Sequence, residues 1–197
     1  MRAARTLRII AGQWRGRKFR FPASDIRPTP DRVRETLFNW LQPRIAGARC
    51  LDLFAGSGAL GLEALSRGAE SVVFVEQQRA AAAAIEALLA DWRGGGDWQI
   101  EGGVVFCTQA QRYLSSAKAR AFDIVFLDPP YDSGALASAA SALQVGWLAP
   151  DARVYVERAR RDPVPPLPAL WSELRSGVAG EVGYHLYSVG LGSPAIP

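Results

Sequence analysis

The chain has 197 residues, 49% of them hydrophobic and 21% charged, which is enough to bury one full core and excludes an intrinsically disordered protein. No apolar run approaches the roughly 20 residues needed to cross a bilayer. The Arg-rich N-terminus also lacks the apolar segment and cleavage site of a secretory signal, so a cytoplasmic protein with no membrane partner is expected.

The net charge of +4 divides unevenly along the chain. Residues 1–49 hold eleven Arg and one Lys against Asp25, Asp31 and Glu35, a balance of +9, whereas residues 50–197 carry sixteen acidic groups against eleven basic ones. A basic quarter joined to an acidic remainder points to a polyanion-contacting element beside a domain with a different role. Leu7–Ile10 and Lys18–Phe21 flank a turn containing Gly12 and are expected to pair as a small hairpin. Within Gln13-Trp14-Arg15-Gly16-Arg17-Lys18-Phe19-Arg20-Phe21 cations alternate with aromatics. That interleaving makes Arg15, Arg17, Lys18 and Arg20 candidate RNA contacts, with a merely solvated basic face as the alternative. Residues 1–28 are therefore read as a hairpin extension and residues 29–197 as the main domain.

Thr29-Pro30-Asp31 opens a helix through Leu41, with Asp31 and Glu35 in the first turns, where acidic groups suit the helix dipole. From Cys50 onward short apolar runs alternate with helical stretches, the mark of an α/β protein with a parallel sheet. Arg49–Phe54, Ser71–Glu76, Val104–Cys107, Phe122–Leu127 and Ala152–Glu157 read as strands. Gly56–Arg67, the Ala- and Leu-rich Arg79–Trp92, Ala110–Ala117 and Leu136–Leu143 read as helices, with a glycine loop at Gly94–Gly96. After the Pro-rich Pro163–Pro168, Glu173–Val178 and Val182–Leu191 are joined only by Ala179-Gly180-Glu181, a connection short enough to require an antiparallel pair. Cys50 and Cys107 match no metal-site spacing and both are expected to be buried and reduced, so no metal is assigned. The lone His185 reads as structural or exposed rather than catalytic.

Two constellations carry chemistry. Leu51-Asp52-Leu53-Phe54-Ala55-Gly56-Ser57-Gly58-Ala59-Leu60-Gly61 follows a strand and opens a helix, a context in which glycines let backbone approach a ligand closely. Glu76, about twenty residues later at the next strand end, can accept both hydroxyls of a ribose. Together they indicate an adenosine-containing cofactor. Asp52 favours S-adenosylmethionine, because a carboxylate is unwelcome beside a diphosphate but suits a cationic aminoacyl group.

The second constellation, Asp128-Pro129-Pro130-Tyr131, follows the apolar run Phe122–Leu127 and so falls at the carboxyl end of a strand, where open α/β sheets place their ligands. The Pro-Pro pair fixes two φ angles and removes two N–H donors, leaving a stiff loop with a carboxylate, free carbonyls and a ring. An exocyclic base amine is a poor nucleophile because its lone pair is delocalised into the ring. Hydrogen bonds from its two N–H groups to the Asp128 carboxylate and the Pro129 carbonyl would free that lone pair, while Tyr131 offers a face for an extruded base.

These residues resemble the class I amino-methyltransferases. More specifically, Arg8-Ile9-Ile10-Ala11-Gly12-Gln13-Trp14-Arg15-Gly16-Arg17, the run Arg27–Leu41 and Phe54–Gly68 are similar to bacterial 16S rRNA guanine-N2 methyltransferases, a likeness that runs from about Arg8 to Tyr187. The resemblance implies a Rossmann-like, seven-stranded, mostly parallel sheet with an antiparallel last strand, preceded by a small basic hairpin. It implies S-adenosyl-L-methionine as methyl donor, S-adenosyl-L-homocysteine as product, and one guanine of 16S rRNA, of the guanine-966 type, on a 30S subunit or its assembly intermediate, modified by a monomer. Carried over by position, Asp52, Phe54, Gly56, Gly58, Glu76, Gln109 and Ala110 would line the cofactor, and Thr29 or Arg32 would reach its methionine carboxylate. Asp128, Pro129 and Tyr131 would address the base. Gln109-Ala110 departs from the Asn or Asp often found after the third strand, with a longer arm for the same contact.

For Thr29–Asn39 an alternative stands beside this: Val33, Leu37 and Leu41 face the core while Arg32 and Arg34 are solvated. Other functions also stay in view. The same chemistry on DNA adenine would use the same loop. A nicotinamide oxidoreductase using Gly56, Gly58 and Gly61 leaves Asp128–Tyr131 without a role. A ribosome-assembly factor without catalysis would not need the intact Asp128, Gly56 and Gly58.

Overall fold

The computed structural model describes residues 5–22, 29–93, 102–130 and 134–190. Two short antiparallel strands, β1 (Arg5–Arg8) and β2 (Lys18–Phe21), pair from Arg5–Phe21 to Arg8–Lys18. The helix α1 (Asp31–Ile45) leads into β3 (Arg49–Asp52), α2 (Ala59–Ser66), β4 (Ser71–Glu76), α3 (Arg79–Arg93), β5 (Gly103–Cys107) and α4 (Ala110–Ser116). There follow β6 (Phe122–Leu127), α5 (Ala135–Leu143), β7 (Leu148–Ala159), β8 (Trp171–Ala179) and β9 (Val182–Val189).

The seven strands β3–β9 form one sheet in the order β5-β4-β3-β6-β7-β9-β8. The first five in that order run parallel, and β9 lies antiparallel between β7 and β8. The chain builds outward from β3 to β4 and β5, then returns to place β6 on the other side of β3. That reversal opens a crevice beyond the carboxyl ends of β3 and β6, the usual ligand position in such sheets. Helices cover both faces, which is why the central strands read as unbroken apolar runs. On one face α1, α2 and α3 pack through Phe38, Leu62 and Ile85; on the other, α4 and α5 pack with Trp147 through Leu114 and Leu143.

Several boundaries differ from the sequence expectation for local reasons. β3 stops at Asp52 and α2 begins only at Ala59, because Gly58 sits at φ +76° and a left-handed residue cannot belong to the helix it precedes. Gly61 matters for packing instead, since a Cβ there would lie 2.2 Å from the Phe74 ring; its hydrogen is what lets α2 press onto β4. The helix α1 runs on past Leu41, through Pro43, to Ile45.

The hairpin is clasped to α2 by backbone groups. The N–H groups of Ile10 and Ala11 donate to the two oxygens of Glu63 (2.8 and 3.0 Å), and that of Trp14 donates to Ser66 Oγ (3.0 Å). Arg34 is wholly buried here. Its Nη2 donates to the Arg8 carbonyl (3.0 Å) and to Asp31 (2.6 Å), while its Nη1 lies 3.6 Å from Glu63.

Three expectations are corrected. Arg34 is not solvated, because Glu63 and Asp31 supply the charge that lets it stay inside. Trp14, Phe19 and Phe21 are buried rather than displayed between the cations, and Trp14 meets Trp92 of α3 edge-on with ring centroids 4.6 Å apart. In β2, Lys18-Phe19-Arg20-Phe21, the alternation is thus the period-two pattern of a half-buried strand, while Trp14 and Arg15 lie in the turn before it. Cys107 is exposed, at the end of edge strand β5, whereas Cys50 is buried as expected.

Candidate active site

One cavity of about 1020 Å3 opens at the carboxyl ends of β3, β4, β6 and β7. It brings together most of the residues singled out from the sequence. Asp52, Phe54 and Gly56 enter from the β3–α2 turn, Glu76 from β4, Gln109 and Ala110 from the start of α4, Asp128 and Pro129 from the end of β6, and Thr29 and Arg32 from the approach to α1. Gly58 does not line it; its N–H donates to the Ala55 carbonyl at 2.6 Å and shapes the turn from behind. Tyr131 lies outside the described residues. Arg15, Arg17, Lys18 and Arg20 are exposed on the hairpin, whose turn docks against Ser66 in the last turn of α2. At 1.5 Å per residue, that is on the order of 10 Å along the helix from the end that opens the crevice.

The acidic groups are fixed before any ligand arrives. Glu76 accepts the Gly56 N–H on Oε2 (2.8 Å) and the Gln78 N–H on Oε1 (2.6 Å), so the glycine turn and the β4 end lock one another. Each oxygen keeps a further lone pair for a ribose hydroxyl. Asp52 accepts the Gly61 N–H on Oδ2 (3.0 Å) and is otherwise enclosed; burial pushes its carboxyl up to about 7, with Glu76 and Glu157 adding repulsion. Asp128 is driven in the same direction by loss of water, then by the charges of Glu157 and Asp52, against a hydrogen bond with the Thr29 hydroxyl.

Glu157, on β7, was not a sequence candidate. It lies in the cavity wall, 3% exposed, beside Asp128, and burial pushes its carboxyl up to about 7 against hydrogen bonds from Tyr155 and Thr29. Its only sequence signal was an acidic residue closing the apolar run Val154-Tyr155-Val156, the position Asp128 holds after β6. The turn residues Gly180 and Glu181 between β8 and β9 also reach the cavity. His185 does not; its Nδ1 lies 2.7 Å from Glu173 on β8.

The lining answers which cofactor fits. Asp52, Glu76, Asp128 and Glu157 face it, with Arg32 the one basic side chain among the described lining residues. A pyrophosphate would meet uncompensated repulsion there, whereas a sulfonium and an ammonium group would relieve the crowding of buried carboxyls. The single arginine suits one carboxylate.

The family described as "Conserved hypothetical protein 95" matches residues 7–188. "Ribosomal RNA small subunit methyltransferase D" of Escherichia coli K12 is 48% identical over 183 residues, covering 92% of this chain and 89% of that protein. The protein of the same name from Haemophilus influenzae is 42% identical over 184 residues, covering 92% and 93%. A solved structure from Escherichia coli, named as methyltransferase yhhF, is 45% identical with a TM-score of 0.85 and covers 94% of this chain and 98% of its own.

Proposed function

The chain belongs to the family described as conserved hypothetical protein 95 and is a methyltransferase, and from that premise we propose that it methylates the exocyclic N2 amine of a guanine in 16S rRNA, using S-adenosylmethionine, in the cytoplasm. When bound, the cofactor supplies a methyl group on a sulfonium cation. Asp52 and Glu76 would hold its aminoacyl and ribose portions, Phe54, Gln109 and Ala110 would flank its adenine, and Arg32 would meet its carboxylate.

The base chemistry falls to β6 and its loop. Asp128 and the Pro129 carbonyl accept the two N–H groups of the amine, which turns the nitrogen lone pair out of conjugation and toward the methyl group. Asp128 would take up the proton that the amine sheds on methylation. Tyr131 would stack on the extruded base. The hairpin cations add a sequence-independent hold on RNA phosphates, either on the small subunit or on its assembly intermediate.

The observation that carries this reading is the placement of Asp128 and Pro129 in the same cavity as Asp52 and Glu76. The test is incubation with labelled S-adenosylmethionine and four separate substrates: naked 16S rRNA, 30S particles, 23S rRNA and duplex DNA. Label is expected in 16S rRNA alone, recovered as N2-methylguanosine on digestion. Label in DNA, or recovered as N6-methyladenosine, would show that the substrate has been misassigned.

A further inference from the structure

The chemistry so far leaves Glu157 without a role, although a nearly buried carboxyl beside the reacting group is costly to keep. The strand register explains its position. Leu127 of β6 pairs with Val156 of the parallel β7, so the next residues, Asp128 and Glu157, leave the sheet side by side, and both line the cavity. The other buried acids are each held by backbone N–H groups: Asp52 by that of Gly61, Glu63 by those of Ile10 and Ala11, Glu76 by those of Gly56 and Gln78. Glu157 differs. Its Oε1 accepts the Tyr155 hydroxyl at 2.8 Å, and among the described residues no cation and no backbone N–H reaches either oxygen. Tyr155 is itself wholly buried and meets Phe126 edge-on, so the carboxyl is fixed in place with accepting capacity left for a further donor.

The cofactor leaves that side of the cavity open. Most of the residues read as holding it lie on β3, β4 and the start of α4, whereas β7 stands two strands from β3, about 10 Å across the sheet. The space bounded by β7, the β8–β9 turn and the Asp128 loop is therefore left for the base. An amino base whose exocyclic nitrogen rests on Asp128 brings the ring atom next to that nitrogen toward Glu157. In guanine that neighbour can be N1–H, a donor. In adenine and cytosine the ring nitrogen beside the amine carries only a lone pair. An ionised carboxyl accepts and cannot donate, so it binds the first and repels the other two.

We propose that Glu157 selects guanine: its carboxylate accepts the ring N1–H of the base whose N2 amine rests on Asp128, and turns away adenine and cytosine, which present a lone pair at that point. This rests on the reading of Asp128 as the group that receives the amine. The two carboxyls are neighbours on adjacent strands, and the two donors they take are neighbours on one edge of the base. Tyr155 keeps Glu157 in place before the base arrives, so little ordering is needed on binding. Such a site discriminates strongly, because a base without the donor leaves a buried carboxylate facing a lone pair.

The test uses the full chain and the RNA that the parent accepts, naked 16S rRNA or 30S particles, with the labelled guanine first located by digestion. That guanine is then replaced by 2-aminopurine, which keeps the exocyclic 2-amine but carries a lone pair at N1. The parent is expected to favour guanine in kcat/KM by on the order of a hundredfold or more. Glu157→Gln can turn its amide to donate to that lone pair, and Glu157→Leu removes the repelling charge. Each should narrow the preference by about tenfold or more, with cofactor affinity, measured by titration, changing less than about threefold. A merely structural role would lower both substrates alike and leave their ratio as in the parent. A parent that methylates 2-aminopurine as readily as guanine overturns the proposal without any variant. So does a parental ratio in the glutamine variant, or in the leucine variant should glutamine not fold. Asp128→Ala, assayed on the guanine substrate alongside, separates the failures. If it is fully active, the reading of Asp128 falls; if it is inactive while the Glu157 variants keep the parental ratio, only the role of Glu157 falls.

Discussion

On the hairpin, Arg15, Arg17, Lys18 and Arg20 stand in solvent over a layer of Trp14, Phe19 and Phe21; in the crevice, Asp52 and Glu157 stand inside apolar walls with almost no solvent. The hairpin cations keep their hydration. Their influence reaches outward over a Debye length of about 8 Å and is shared among several similar groups. The crevice carboxyls have lost most of their water, repel one another, and each has a different set of partners. An exposed charge contributes to a field and is individually replaceable, whereas a buried charge acts through specific contacts and is not. The underside of the hairpin follows the second rule, since Glu63 and Arg34 are both fully buried and hold it to α2.

The largest test of that contrast lies in the clasp. Glu63→Ala leaves Arg34 without its buried counter-charge and orphans the Ile10 and Ala11 N–H groups. Unfolding by urea should show a loss of about 3–5 kcal/mol, the usual cost of breaking one side of a buried pair. A loss under about 1 kcal/mol would mean the clasp is as replaceable as the surface cations.

Next is Asp128→Ala, which should retain the fold and bind cofactor close to parentally. It should nevertheless lose methyl transfer by on the order of a hundredfold, the scale for removing a group that acts mainly in the transition state. Single-turnover rates beside calorimetric binding separate the two effects.

Asp52 gives a signature that appears only against pH. Its folded carboxyl is raised from 3.8 to about 7, so the folded state keeps a proton that the unfolded chain has released. Stability therefore falls as pH rises from about 4 to about 7 and is level beyond. Asp52→Asn cannot titrate, and its stability relative to the parent should climb across that window by on the order of 4 kcal/mol. A difference constant with pH would place Asp52 in water rather than in the wall.

The smallest effect belongs to a single hairpin cation. Arg15→Ala should reduce the slope of log affinity against log salt on single-stranded RNA by about 0.7, one phosphate's worth, without changing cofactor affinity. An unchanged slope would remove Arg15 from the RNA footprint and leave the field to its neighbours.

Much of the sheet was legible because its signals are short-range. Val72–Val75 and Ile124–Leu127 are uninterrupted apolar runs within strands whose observed bounds, Ser71–Glu76 and Phe122–Leu127, are those read from the sequence. The antiparallel β8–β9 pair followed from a connection too short for a crossover. The hairpin aromatics misled because an alternating pattern is common to a half-buried strand and to a nucleic-acid surface. Only the presence of Trp92 beneath them tells the two apart.

The sequence by itself determined the glycine turn with its acidic partners Asp52 and Glu76, and the stiff Asp128-Pro129-Pro130 loop. Left-handed glycine and fixed proline φ angles are properties of a few adjacent residues, and strand ends locate them in an α/β sheet. Only the tertiary structure decided that Glu157 belongs with Asp128 and Thr29, that Arg34 and Glu63 are buried together, and that Cys107 is not buried. Along the chain these are ordinary charged or apolar letters. Their states depend on partners such as Glu63 for Ile10, 53 residues away, and the loss of water that gives them their chemistry exists only once those distant segments are packed.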